Sequence, residues 1–179
     1  MDRHRRLHWF ALPLLLAMGA AQAETPDTTC KARYASPMVQ ASMHDVAAVT
    51  ASTLDAAGLD LVIAARGGQD LSRWGLRHSH LAFLLREDDG NWRVIHLLNY
   101  CASDTSALYR EGLANFIGES GSRADLRVGI PTPALRARLR TLLTGNTEAA
   151  RALHEPRYSA VAYPFRTEYQ NSNQWILEV

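Results

Sequence analysis

The sequence contains little cysteine: Cys30 and Cys101 are the only two among 179 residues. Two cysteines in a protein exported to an oxidising compartment most often form one disulfide. We therefore predict a Cys30–Cys101 disulfide, provided that the chain is exported. In the chain-entropy model, closing so long a loop stabilises a fold by roughly 3–4 kcal/mol.

Three further features are missing. The net charge is only +1, and no basic block follows the first six residues, so the charge pattern does not indicate a nucleic-acid partner or an anionic membrane. No stretch reaches the 18 or so apolar residues of a membrane-spanning helix, so we predict no transmembrane segment after signal cleavage. Gly67 and Gly68 lack the additional glycines, lysine and helix start of a phosphate-binding loop and predict a turn instead.

The N-terminus carries the three parts of a secretory signal peptide. Arginines stand at positions 3, 5 and 6, residues 9–18 are almost wholly apolar, and Ala21-Gln22-Ala23 is a small-x-small cleavage site. We predict a signal peptide over residues 1–23, a lead-in over 24–36, one domain over 37–179 and a periplasmic or secreted location. Cleavage would remove three arginines and Asp2 and change the net charge to about −1. The alternative is an uncleaved amphipathic anchor.

Spacing and capping residues predict a mixture of helices and strands. Ser36 and Pro37 begin a helix that Gly58 ends, and Thr132 and Pro133 begin a helix that Gly145 ends. Asn171 is an N-cap that would make Ser172 the first residue of a terminal helix. The remaining predicted elements are strands over residues 59–65 and 124–130 and helices over residues 106–118 and 147–154.

Residues 77–99 are the centre of the sequence. Two apolar runs of strand length flank an Asp-Asp-Gly-Asn turn, and each run carries one histidine, His80 or His96. A two-residue turn, Asp89-Gly90, would place the histidines on opposite faces of the sheet. A three-residue turn, residues 88–90, places them on the same face as diagonal neighbours. We favour the three-residue turn because its last position suits a left-handed glycine.

The two histidines also have simpler interpretations. A single histidine in a strand is usually a packed core or surface residue. His78 and His80 could share a face and bind zinc, but no third ligand follows at a recognisable spacing. We therefore predict neither a metal site nor a cofactor.

Several motifs resemble a known superfamily. Ser79-His80-Leu81-Ala82-Phe83 and Val94-Ile95-His96 resemble the histidine strands of the NlpC-type branch of the papain-like superfamily. Asn171-Ser172-Asn173 resembles the nucleophile box of its circularly permuted group, with serine in place of cysteine. The ending Tyr-Gln-Asn-Ser-Asn-Gln-Trp also resembles that of a set of secreted bacterial proteins of unknown function.

This resemblance implies an α+β, papain-like (circularly permuted) fold with a small antiparallel sheet and packed helices. It implies a hydrolase or acyltransferase acting on an amide or ester, with Ser172 as nucleophile, His80 as base and His96 orienting His80. Asn171, Asn173 and Tyr169 would support them. The implied substrates are peptidoglycan peptides or lipid acyl groups.

Two alternatives to this enzyme remain open. A serine hydroxyl ionises far less readily than a thiol and depends wholly on its base. The chain could therefore be a catalytically inactive envelope ligand-binding protein, or an accessory protein with no site. Cys101 is an alternative nucleophile, but it follows the second strand in a loop, and an oxidising compartment favours its disulfide.

Overall fold

The structure is a computed structural model of the chain. It describes residues 36–68, 71–119, 126–145, 147–164 and 167–179. The predicted signal peptide, Cys30 and most of the predicted lead-in lie outside these residues. The described part is a mixed α+β fold in which helices cover both faces of an antiparallel sheet.

The first helix, α1, spans Pro37–Ala56 and follows the capping signals of the sequence. The side chain of Ser36 accepts a hydrogen bond from the backbone N–H of Val39, which satisfies one of the free donors of the first turn. Gly58 follows the helix with a φ of +64°, a conformation that suits glycine. The predicted start and end of this helix are confirmed.

Within the described residues, five strands form one sheet: β1 (Leu61–Arg66), β2 (His80–Arg86), β3 (Trp92–Asn99), β4 (Ser106–Gly112) and β5 (Leu126–Gly129). Their order in the sheet is β4-β3-β2-β1-β5, and every neighbouring pair is antiparallel. A 3₁₀ turn, Ser72–Trp74, lies in the loop between β1 and β2. The predicted strand over residues 59–65 thus exists with slightly shifted bounds, and the one over residues 124–130 corresponds to β5, with residues 124 and 125 outside the described part of the chain.

The hairpin of β2 and β3 has the predicted three-residue turn. The strands pair Phe83 with Ile95 and Arg86 with Trp92, and Gly90 adopts a φ of +84°. The N–H of Gly90 donates to Glu87 O at 2.9 Å and closes the turn. This register places His80 and His96 on the same face of the sheet.

The predicted helix over residues 106–118 is wrong in its first half. Residues 106–112 form strand β4, and only Leu113–Gly118 form a helix, α2. The apolar residues Leu113, Phe116 and Ile117 keep helical spacing, and all three are buried. The residues before them pair along β3 from Asn99 to Arg93, because the backbone groups of a buried strand need partners on both edges.

The two faces of the sheet carry separate cores. On one face, α1 and α2 pack on the side chains of Val62, Ala64, Ala82, Leu84 and Val94. On the other, α3 (Pro133–Thr144), α4 (Thr147–Ala152) and α5 (Ser172–Glu178) pack on Leu61, Phe83, Leu85, Ile95 and Leu97. His80 and His96 belong to the α1/α2 face, whereas α5 lies on the opposite face.

Helices α3 and α5 begin where the sequence predicts. Thr132 caps α3 through the N–H of Leu135, and Asn171 caps α5. The second core depends on α5: Trp175 is 1% exposed, packs edge-to-face on Phe83 and donates from Nε1 to Ala150 O. None of the helices in the described part of the chain is long and apolar enough to cross a bilayer.

Candidate functional site

The two histidines of the hairpin contact each other directly. His80 is the first residue of β2 and His96 lies within β3, and their side chains are 7% and 0% exposed. His80 Nε2 lies 2.9 Å from His96 Nδ1, and the rings meet edge-to-face. The two histidines, which are diagonal neighbours in this register, are therefore hydrogen-bonded to each other through their imidazoles.

Ser172 reaches the free ring nitrogen of His80. Its Oγ lies 3.1 Å from His80 Nδ1, across 92 positions of sequence, and the side chain is buried. The Asn171 cap accepts hydrogen bonds from the N–H groups of Asn173 and Gln174, so α5 begins at Ser172. The structure thus brings together all three residues predicted to be catalytic.

Asn173 attaches the start of α5 to the start of β2. Its Oδ1 accepts from Leu81 N–H at 2.8 Å, and its Nδ2 donates to Ser79 O at 3.0 Å. These two backbone groups flank His80, so a single amide side chain sets the distance between Ser172 and His80. A carboxamide can do this because it presents the same donor and acceptor as a peptide bond.

The other two predicted supporting residues lie at the rim. Asn171 donates from Nδ2 to Ala162 O at 2.7 Å, which ties the helix start to the preceding loop. Tyr169 is 42% exposed and packs under the guanidinium of Arg157. Ala162 and Tyr169 line one small open cleft together with Val161 and Tyr163.

The surroundings keep His80 neutral. Burial lowers the pKa of His80 to about 3, and the positive charge of Arg66 and the neighbouring His96 act in the same direction. The ring of Phe116 lies against both imidazoles and against the guanidinium of Arg66. At neutral pH His80 therefore has one ring nitrogen free to accept a proton.

A charged cluster lies behind the histidines. Glu111 Oε1 lies 3.1 Å from His96 Nε2, and Arg66, which is 4% exposed, pairs with Glu119 and donates to Gly67 O. Burial lowers the pKa of Arg66 and raises that of Glu119, while their ion pair opposes both shifts. The ligand atoms of His96, Glu111 and Glu119 all lie within 4.8 Å of one another, so these three side chains could hold a metal ion.

The sequence-based prediction missed this cluster. Glu111 is paired with Val94 across β3 and β4, and Val94 shares its face with His96. Predicting residues 106–112 as a strand would have placed Glu111 beside His96. The predicted helix concealed that relationship.

Tyr158 is a further missed neighbour of the serine. It is half-buried against the second core, and burial raises the pKa of its hydroxyl while a hydrogen bond with Ser172 lowers it. The isolated bridge between Tyr158 and Gln170 brings this segment alongside α5. A tyrosine inside an irregular apolar run gave no periodic signal by which to find it.

Cys101 and a second serine–histidine pair, Ser106 and His154, also bear on which residue is the nucleophile. Cys101 is disulfide-bonded, which removes it as a nucleophile, but Cys30 lies outside the described residues. Ser106 Oγ lies 3.0 Å from His154 Nε2, but it also lies 3.3 Å from Pro156 O, to which it can donate. The carbonyl of Pro156 thus competes with His154 for the hydroxyl proton of Ser106.

Comparisons with known proteins give one family. The sequence model of a family described as "Uncharacterized protein conserved in bacteria" (DUF2145) matches residues 53–179. No curated protein and no solved structure matches the chain. The match covers every strand of the sheet, both histidines and the whole of α5. The chain therefore belongs to this bacterial family.

Proposed function

We propose that the protein is a serine-dependent hydrolase or acyltransferase acting on an amide or ester, with a permuted papain-like architecture. One observation carries the proposal: Ser172 Oγ, His80 and His96 form a continuous line of contacts of 3.1 and 2.9 Å. Nucleophile, base and orienting group in hydrogen-bond reach of one another are the general requirement for covalent acyl transfer. The position of the serine, at the start of a helix that follows the histidine strands, supports the permuted arrangement.

The contacts allow one productive arrangement of protons. Ser172 donates its hydroxyl proton to His80 Nδ1, His80 donates from Nε2 to His96 Nδ1, and His96 carries its proton on Nε2, beside Glu111. Each ring is then neutral and each nitrogen has one role. Glu111 extends the predicted set of three, because its carboxylate oxygen lies 3.1 Å from His96 Nε2 and its negative charge favours a proton on that nitrogen.

The reaction then follows from these positions. Ser172 Oγ bonds to the carbonyl carbon as its proton moves to His80 Nδ1. Collapse of the tetrahedral intermediate breaks the bond to the amine or alcohol, which leaves with the proton from His80. Water, or the hydroxyl of an acceptor, repeats the sequence and releases Ser172. Glu111, through His96, stabilises the positive charge that His80 carries between these steps.

The substrate class that we propose is a peptidoglycan peptide or a lipid acyl group, and the location is the periplasm or the exterior. Both follow from the signal-peptide motif and the superfamily resemblance. The cleft beside the start of α5 supports a partly apolar substrate, because Val161, Tyr163 and Tyr169 expose large apolar surfaces there.

The second candidate is a catalytically inactive ligand-binding or accessory protein of the bacterial envelope. The observation in its favour is the low pKa of His80, about 3, which makes the imidazole a weak base for a serine hydroxyl. A thiolate nucleophile would need less help from this base. The two candidates therefore differ in whether Ser172 reacts at all.

A fluorophosphonate probe separates the two candidates, because it phosphonylates an activated serine much faster than an ordinary hydroxyl. We expect labelling of the wild-type chain at Ser172 and no labelling of Ser172→Ala or His80→Ala. Ser106→Ala is the matched control, since Ser106 also contacts a histidine, and it should be labelled like the wild type. Peptide mass spectrometry locates the label, and circular dichroism checks that each variant folds. Absent labelling, or labelling that survives both Ser172→Ala and His80→Ala, excludes the enzyme.

A further inference from the structure

We propose that His96, Glu111 and Glu119 bind one divalent transition-metal ion of the Zn²⁺ type, and that the bound ion switches off Ser172. The second half rests on the proposed function, whereas the first does not. The three side chains come from β3, β4 and the residue after α2, and their ligand atoms lie within 4.8 Å of one another.

Two of these atoms are buried without a hydrogen bond. Among the described residues, neither His96 Nε2 nor Glu111 Oε1 has a hydrogen-bond partner of acceptable geometry, although they lie 3.1 Å apart. His96 is 0% exposed, and a buried polar atom left in this state is costly. Two atoms bound to one tetrahedral zinc at about 2.0–2.1 Å are about 3.3 Å apart. The observed spacing therefore needs little adjustment to admit an ion.

The charges and the route of entry favour a cation. Glu111 and Glu119 carry two negative charges when ionised, and Arg66, paired with Glu119, neutralises one of them. Both glutamates line an open groove of about 540 Å³ beside α1, so an ion can reach them from solvent. His44 lines the same groove. One imidazole with two carboxylates suits zinc, whereas Mg²⁺ and Ca²⁺ prefer all-oxygen sites.

Metal binding would reverse the direction of the hydrogen bonds to Ser172. The ion takes Nε2 of His96 and displaces its proton to solvent. The proton on His80 Nε2 moves to His96 Nδ1. The hydrogen bond across their 2.9 Å contact then runs from His96 to His80. His80 takes up a proton from solvent at Nδ1 and donates to Ser172 Oγ. Both rings stay neutral and the number of protons is unchanged, but Ser172 has lost its base.

Calorimetric titration with ZnCl₂ tests the site. The untagged chain is first treated with EDTA to strip bound metal, and the EDTA is removed before the titration. We expect the wild type to bind one Zn²⁺ per chain, and Glu111→Gln and Glu119→Gln to bind it at least about 10-fold more weakly. Glu148→Gln, which changes an exposed acid on α4, is the control and should bind Zn²⁺ like the wild type. Ser172→Ala should bind like the wild type. X-ray absorption should find one imidazole nitrogen at about 2.0 Å from the ion. Absent binding, or equal affinity in all variants that retain the wild-type circular dichroism spectrum, overturns the site.

The rate of fluorophosphonate labelling tests the switch. Saturating Zn²⁺ should slow labelling of the wild type at least about 10-fold, and the ratio of rates with and without Zn²⁺ should return towards one in Glu119→Gln. An unchanged rate in zinc-saturated wild type overturns the switch, while the titration still decides the site. If EDTA-treated protein is not labelled at all, the proposed function fails and the switch fails with it, and the metal site is again decided by the titration alone.

Discussion

The amide of Asn173 hydrogen-bonds to Leu81 at a point where the pairing of β2 with β3 has ended. Its Oδ1 accepts a hydrogen bond from the Leu81 N–H at 2.8 Å. The two strands pair only between the turn and the Phe83–Ile95 pair, so Leu81 has no partner on β3. The same amide donates to Ser79 O. The separation of the strands at this end makes room for α5, and α5 in turn brings Ser172 to His80.

Removing this amide should weaken the fold and misplace the serine. Asn173→Ala leaves Leu81 N–H and Ser79 O without their partner, and we expect the free energy of unfolding to fall by about 1–3 kcal/mol. Urea denaturation measures the loss, and hydrogen exchange of the Leu81 amide should become faster. Asn115→Ala, an exposed asparagine on α2, should change stability by less than about 0.5 kcal/mol. Unaltered exchange at Leu81 in Asn173→Ala contradicts the assigned role.

The hairpin turn should be sensitive to a side chain at position 90. Gly90 has a φ of +84°, so we expect Gly90→Ala to cost about 1–2 kcal/mol, measured by thermal or urea unfolding. The added methyl group meets only Arg86 Nη2 at 3.6 Å, which leaves backbone strain as the cause.

Gly129→Ala is the control for this prediction. Gly129 ends β5, where an added methyl group makes ordinary contact with Ile63 O at 3.7 Å. We expect stability equal to or slightly above that of the wild type. Equal decreases in the free energy of unfolding of Gly90→Ala and Gly129→Ala would argue against the three-residue turn.

Acid should destabilise the protein through His80. The pKa of His80 is about 3 in the folded chain and about 6.5 when unfolded, so the unfolded chain binds the proton first as pH falls. The contribution of neutral His80 to the free energy of unfolding is present above pH 6.5 and is lost as the pH falls below it. Between pH 6.5 and 4.5 the free energy of unfolding should fall by about 2 kcal/mol from this cause. Urea denaturation in EDTA across this range measures it.

A histidine variant isolates that contribution. His80→Phe replaces the imidazole with an apolar ring and should reduce the pH dependence of stability by the amount expected for one histidine. His44→Gln, which removes an exposed histidine of α1, is the matched control substitution. Identical slopes in wild type and His80→Phe would show that another group carries the effect.

The predicted Cys30–Cys101 disulfide should be measurable in solution. Native protein treated with a thiol reagent should give no free thiol, and reduction should lower the free energy of unfolding by roughly 3–4 kcal/mol. The double variant Cys30→Ser, Cys101→Ser should match the reduced chain and no longer respond to reductant. Two titratable thiols in the native protein would remove the disulfide.

The local rules of the sequence succeeded where a few adjacent residues decide the conformation. Ser36, Thr132 and Asn171 cap the helices that they were expected to cap, because capping depends only on the next three residues. The turn at Gly90 set the register of the hairpin for the same reason. Local chemistry therefore places His80 and His96 on the same face independently of the tertiary contacts.

The error over residues 106–118 has a non-local cause. Their apolar spacing fits a helix, but the open edge of β3 offers a ladder of seven paired residues, from Arg93 with Gly112 to Asn99 with Ser106. Pairing of that kind outweighs a weak intrinsic helix preference. Since Glu111 lies in this stretch, its position beside His96 was lost together with the strand.

By itself, the sequence determined the caps, the hairpin register and the pairing of two histidines on one face, because short-range turn and capping energies do not depend on the rest of the chain. Only the tertiary structure decided that Ser172 contacts His80, that Asn173 replaces a strand partner, and that Glu111, Glu119 and Arg66 gather behind His96. The contacts of Ser172, Asn173 and Arg66 join positions 53 to 92 residues apart, and that of Glu111 with His96 joins two neighbouring strands. They form only when burial of two cores holds the helices against opposite faces of the sheet.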